Sequence, residues 1–292
     1  MGNEEIFYII IGILFILANI LTIIFSSLTI LIFIFNWHLP YRSIPNLISI
    51  NSNVTFLLLS ITFSFQFSYL FHKNVNETNN VSTISCRTSG YIGLVSCIAK
   101  VFSYVIQAIS RYMSTVLSQH RQLITFRKHI IMIIISWLFS IILSSLMLIS
   151  PIAFQYEVES RLCVLTSKVF HTSLTIIIIG YILPVNIIIL LYYLIIRYIT
   201  RANRSRLNTA TIQNNKRNLK VIRNILKLLA VGIIGGAPYF LSTIINRISQ
   251  TPWPLYSISV LSIVFSALVE SATIFFTNDD IKKILSTKIC CY

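Results

Sequence analysis

Seven long apolar runs divide this chain, and they leave it few ways to fold. They cover residues 6–35, 46–71, 86–112, 129–154, 169–199, 219–245 and 253–277. A helix crosses the hydrocarbon core of a bilayer with about 20 mostly apolar residues. There its backbone groups have no water to bond, so each run must satisfy them internally as a helix. The runs predict an all-α membrane protein, a bundle of seven transmembrane helices in one domain spanning 1–292. A short amphipathic helix is expected over 279–289. Composition agrees: 55% of residues are hydrophobic and only 11% charged, about half the charged share of a soluble domain. The seventh run is the least clean, because Glu270 lies inside it.

The net charge of +15 would point to nucleic acid in a soluble chain. Here the basic residues cluster between apolar runs, as in cytoplasmic loops beside an anionic leaflet, and nucleic-acid binding is not expected. With the N-terminus outside, seventeen Lys and Arg fall on the cytoplasmic side, nine of them between Arg197 and Lys227. Five fall outside: Lys73, Arg87, Arg161, Lys168 and Arg247. That bias predicts an extracellular N-terminus and a cytoplasmic C-terminus. The sequons Asn76-Glu77-Thr78 and Asn80-Val81-Ser82 fall in the first outer loop, which makes Asn76 and Asn80 candidates for glycosylation. The N-terminus MGNEEI has neither the basic region nor the small-residue cleavage site of a signal peptide.

The third run carries the landmarks. Cys86 opens it, and Ser110-Arg111-Tyr112 closes it 25 residues after that cysteine. Twenty-five helical residues rise about 37 Å, so Cys86 belongs at the outer surface and Arg111 at the inner one. Cys163 follows the fourth run in an outer loop and can meet Cys86. Asn46-Leu47 and Asn51 begin the second run, Trp137 centres the fourth, and Pro184 precedes Tyr192 by eight residues in the fifth. Pro238 lies within Gly236-Ala237-Pro238-Tyr239-Phe240 of the sixth, and Asn278-Asp279-Asp280-Ile281-Lys282-Lys283 follows the seventh.

In this order and spacing the chain resembles the rhodopsin-like (class A) G-protein-coupled receptors along nearly its whole length. The resemblance implies a plasma-membrane receptor with two partners, an extracellular ligand and a heterotrimeric G protein, and with no cofactor. It implies a disulfide between Cys86 and Cys163. It assigns G-protein coupling and activation to Arg111, Tyr112, Tyr192, Pro238 and Phe275, with an outward swing of the sixth helix about Pro238. Arg111 also fits a simpler reading, as a positive-inside charge or a snorkelling side chain. Gly232, Gly235 and Gly236 would lend that helix a hinge beside Pro238, and they equally fit close helix packing.

The chain departs from the family pattern in four places. Ser110 stands where an acid precedes the arginine. Phe56 stands at the acidic sodium-site position of the second helix. Gly236 replaces the tryptophan before the sixth-helix proline, and Ser271-Ala272-Thr273-Ile274-Phe275 replaces Asn-Pro-x-x-Tyr. Without an acid to restrain Arg111, the expectation is a weakly latched resting state with substantial basal signalling.

Lys100 and Glu270 each place a charge inside a span, where burial is costly unless the charge is paired. They are expected to form an intramembrane ion pair in which the ammonium replaces the sodium ion. Separate snorkelling is the alternative. A ligand pocket is expected among Gln66, Gly93, Cys97, Ile176, Gly180, Tyr239, Phe240, Thr243, Leu261 and Phe265. That wall suits a small apolar molecule, while Glu157 and Glu159 in an outer loop leave a cationic peptide open. No lysine lies between Trp253 and Thr277, which excludes a retinal Schiff base in the seventh helix. Cys290 and Cys291 are candidates for palmitoylation.

The five histidines are scattered, with no metal-binding spacing. No nucleophile elbow or phosphate-cradling glycine loop appears, so neither an enzyme nor a metal site is expected. A secondary transporter would need repeated halves, which the sequence lacks. A non-signalling decoy receptor is the other alternative.

Overall fold

The computed structural model describes residues 3–36, 43–71, 84–117, 125–150, 153–157, 162–165, 170–204, 209–248 and 253–289. Helices α1 (Asn3–Phe35), α2 (Ile44–Phe71), α3 (Ile84–Thr115) and α4 (Phe126–Leu148) come first. A two-stranded antiparallel hairpin follows, β1 (Phe154–Glu157) with β2 (Leu162–Leu165), registering Tyr156 against Cys163. Helix α5 runs Phe170–Ile177, takes a π turn over Ile178–Ile182, and continues Leu183–Arg204. Then come α6 (Thr209–Ile248), α7 (Trp253–Thr277) and α8 (Asp279–Ile289). Seven of these helices are long and apolar enough to cross a membrane.

The bundle turns its apolar side chains outward as well as inward, as lipid permits. Ile134, Ile135, Leu138 and Ile142 of α4 are exposed, while Ser136, Ser140 and Ser144, four residues apart, form its buried face. Small side chains there let α4 approach its neighbours closely. Buried hydroxyls return to their own helix: Thr22 donates to the Ala18 carbonyl at 2.8 Å and Ser140 to that of Ser136 at 2.8 Å. No water is available in lipid, so this local bond is what makes a buried Ser or Thr tolerable.

Helix α3 occupies the centre, with Val95, Ser96, Ala99, Ser103, Tyr104 and Ala108 all buried. Polar side chains tie it and its neighbours together. Ser52 and Ser103 oxygens lie 2.6 Å apart, Gln107 Nε2 donates to Ser52 Oγ at 3.0 Å, and Trp137 Nε1 donates to Asn51 Oδ1 at 2.9 Å. At the end of α3 that carries Arg111, Asn46 Nδ2 donates to Asp280 Oδ2 at 2.8 Å, docking α8 on α2. Asn278 Oδ1 accepts from the Asp280 backbone N–H at 2.9 Å and so caps α8.

Two boundaries differ from the hydropathy reading. The fourth run was expected to continue as helix to residue 154, but α4 stops at Leu148 and Phe154 opens β1. Pro151 lacks the N–H that a helix would use there. The stretch between the fifth and sixth runs, residues 200–218, was expected as a basic loop but is largely helical, because α5 reaches Arg204 and α6 begins at Thr209. Apolar runs end where lipid ends, whereas a helix free of Pro and Gly continues into water.

Candidate functional site

Helix α3 joins two sites at its opposite ends. At one end Cys86 is bonded to Cys163, with their Cα atoms 5.3 Å apart, and both residues are fully buried. The bridge holds β2 against the mouth of the bundle. Phe154 of β1 packs edge-on against Tyr91 of α3, with centroids 6.4 Å apart.

Beneath the hairpin lies a cavity of about 190 Å³ between α2, α3, α5, α6 and α7. Seven of the ten anticipated residues line it: Gln66, Gly93, Cys97, Ile176, Gly180, Tyr239 and Phe240. Tyr239 also donates from its hydroxyl to the Leu165 carbonyl at 3.3 Å, linking α6 to the hairpin. Thr243, Leu261 and Phe265 do not line it. Thr243 turns its hydroxyl back to the Tyr239 carbonyl at 2.9 Å, Leu261 packs into the hydrophobic core, and Phe265 is 38% exposed on the outside of α7. The inward face of α7 is Val260, Ile263 and Ser266 instead. One helical residue turns a side chain by about 100°, so a register displaced by one or two positions changes the face.

At the cavity floor Lys100 Nζ lies 2.9 Å from Glu270 Oε2. It also donates to Ser266 Oγ at 3.1 Å and stands 5.5 Å from the centre of the Phe56 ring. That distance is within cation–π range. The ammonium therefore meets a carboxylate, a hydroxyl and an aromatic face, while Glu270 is fully buried. Tyr104 neighbours the carboxylate, and its buried hydroxyl makes no hydrogen bond among the described residues. Gly232 of α6 closes the site: a Cβ at that position would meet Glu270 Oε1 at 2.9 Å. Ser266 and Tyr104 went unnoticed in the sequence, where Gly232 was read only as a small residue of the sixth helix that permits a hinge or close packing. Spacing could have found the first two, since Ser266 lies four residues from Glu270 and Tyr104 four from Lys100, each pair on one helix face.

A second contact missed in the sequence joins α5 to α6. Tyr181, in the π turn, donates to the Ile233 carbonyl at 3.0 Å. Its ring fills the space over Gly236, where a Cβ would meet it at 3.1 Å. Pro184 accounts for the wide turn, because a proline ring clashes with the carbonyl four residues earlier. An aromatic ring from α5 thus stands where α6 itself offers only a hydrogen.

At the other end of α3, Arg111 is partly buried and forms no ion pair with a carboxylate among the described residues. Ser110 Oγ instead lies 3.1 Å from Nε2 of His129 on α4, whose Nδ1 lies 2.9 Å from the Thr125 carbonyl oxygen. Tyr192 of α5 is buried near Arg111, and Tyr112 packs at the edge of the same core. Pro238 sits within the unbroken span of α6. Phe275 of α7 packs on Phe25 of α1 with centroids 5.7 Å apart. The candidate modification sites Asn76, Asn80, Cys290 and Cys291 lie outside the described residues.

Squid rhodopsin has the same fold, with a TM-score of 0.81 over the whole of this chain and 89% of that one, at 16% identity. No curated protein sequence matches the chain. The profile of the family described as "7 transmembrane receptor (rhodopsin family)" matches residues 26–274. With that match over most of its length, this chain belongs to the rhodopsin family of seven-transmembrane, class A G-protein-coupled receptors.

Proposed function

We propose that this receptor sits in the plasma membrane with its N-terminus outside and its C-terminus in the cytoplasm. It binds a small, largely apolar ligand beneath the β hairpin and activates a heterotrimeric G protein through cytoplasmic opening of α6. The observation that carries this reading is the cavity's position. It lies at the disulfide end of α3, opposite Arg111, and both α5 and α6 contribute to its wall. A molecule that entered it would press on Tyr181 and Tyr239, and both of these hold α6 by hydrogen bonds.

Size favours a small molecule over a buried peptide. About 190 Å³ only modestly exceeds the roughly 150 Å³ of an apolar cavity that takes up benzene. At the inner end Arg111, Tyr112, Tyr192 and Phe275 frame the surface offered to the G protein. No carboxylate among the described residues holds Arg111, which supports appreciable signalling without ligand.

Second-messenger output in cells, normalised to surface expression, tests the proposal. The wild type should signal above mock-transfected cells, and Arg111→Ala should abolish that output at unchanged surface level. Silence of the wild type across all G-protein classes at good surface expression would favour a non-signalling decoy, a reading that Ser110, Gly236 and the altered Ser271–Phe275 segment support. Solute flux in vesicles carrying the protein would instead indicate a transporter.

A further inference from the structure

Gln66 of α2 is 1% exposed, and neither its Nε2 nor its Oε1 has a hydrogen-bond partner among the described residues. Its neighbours on α2 behave differently. Ser52, Thr55 and Thr62 each donate to a backbone carbonyl of their own helix. A carboxamide offers two donors and an acceptor. Leaving all of them unmet in a dry interior is unfavourable, and native structures rarely do so without a reason.

The place is telling. Gln66 borders the cavity, and its amide nitrogen lies against Gly93 of α3, where a Cβ would stand 4.0 Å away. The residues that share the cavity with it, such as Phe63, Leu94, Ile176 and Gly180, present carbon. A bound water needs two to four polar partners, and such a wall supplies few. Lys100, the one cation of the wall among the described residues, is neutralised by Glu270 at 2.9 Å. The site therefore asks for no charge, much apolar contact and, opposite Gln66, a group that both donates and accepts.

We infer that the ligand is a compact neutral molecule, an apolar ring bearing one carboxamide or lactam, and that Gln66 pairs with that group. The terminal amide torsion of glutamine is broad and roughly two-fold, so the side chain can turn its amide from Gly93 toward an occupant. This inference rests on the reading of the cavity as the ligand site. It adds the ligand's chemistry, and Gln66 decides it.

The test uses three probes of similar size: benzamide, acetophenone (acceptor only) and isopropylbenzene. Their binding is measured as thermal stabilisation of the full receptor in nanodiscs, for the wild type and for Gln66→Met. Methionine keeps the length and removes both polar atoms. Comparing wild type with variant for each probe cancels that probe's partitioning into lipid. Benzamide should lose about tenfold in affinity on going to Gln66→Met, which is ~1.4 kcal/mol. Acetophenone should lose less, and isopropylbenzene should gain. Without any probe the variant should be at least as stable as the wild type, since it removes an unpartnered buried amide.

Equal ratios for benzamide and isopropylbenzene would overturn the inference and leave the cavity standing as the ligand site. A marked loss of stability in Gln66→Met without a probe would also overturn it, by showing that the amide already has a structural partner. If no probe stabilises either protein, the ligand-site reading of the cavity falls, and this inference with it.

Discussion

Removing either member of the Lys100–Glu270 pair should cripple the fold, whereas removing both together should not. Glu270 is fully buried and the Lys100 side chain is 9% exposed, with the charges 2.9 Å apart. Coulomb's law at an effective dielectric of about 20 gives ~6 kcal/mol of attraction at that distance. Desolvation of both ions opposes most of it. What remains decisive is the orphan: in Lys100→Met the carboxylate is left without its cation, and in Glu270→Met the ammonium without its anion. Breaking a buried pair in this way costs about 3–5 kcal/mol. The double variant Lys100→Met/Glu270→Met leaves no charge behind and should lie within ~1 kcal/mol of the wild type, since apolar replacement of a buried pair is often neutral or favourable. The double-mutant cycle should therefore show non-additivity of several kcal/mol. Thermal unfolding of the purified receptor would read this as a drop on the order of 10 °C for each single variant, and surface expression should follow. The exchanged pair, Lys100→Glu/Glu270→Lys, should regain expression that each single change loses. Singles that cost less than about 1 kcal/mol, or a double variant as poor as the sum of its parts, would refute the reasoning from paired burial.

Other outcomes can be checked in the same preparations. Gly232→Ala drives a methyl to 2.9 Å from Glu270 Oε1 and should cost about 1–3 kcal/mol by overpacking, measured by thermal unfolding. That cost should shrink in the doubly neutral background, where the carboxylate is gone. Cys86→Ser, Cys163→Ser and the double change should be equally harmful, each by about 2–5 kcal/mol, with surface delivery measured by flow cytometry on intact cells. Tyr181→Phe removes the 3.0 Å bond to the Ile233 carbonyl, worth about 1 kcal/mol. It should raise ligand-free second-messenger output about fivefold, and unchanged output would mean that this contact does not hold α6.

Much of the architecture was legible because lipid imposes simple rules. Every backbone group within the hydrocarbon core must be satisfied by its own helix, so the apolar runs alone count the spans. Cys86 and Arg111, 25 residues apart on one helix, must lie at opposite ends of α3 whatever their neighbours do. Lys100 and Glu270 announced themselves because an unpaired charge in a span is so costly. Residues near span ends were less legible. Thr209 to Asn218 carry no apolar signal, yet they continue α6 because nothing in them breaks a helix.

Seven membrane helices, their order, and the chemistry at the two tips of α3 follow from the linear chain, since each depends on local composition and on distance along a helix. Which faces meet was decided only in three dimensions. Helical rotation carries about 100° per residue, so Ser266 lines the cavity and Phe265 beside it faces outward. Tyr181 covers Gly236 only because the π turn before Pro184 swings it there. Ser110 turns to His129 of α4 rather than to its neighbour Arg111, and Gln66 is left with an empty amide. Such contacts join residues far apart in the chain, and packing, to which no local rule of composition speaks, selects them.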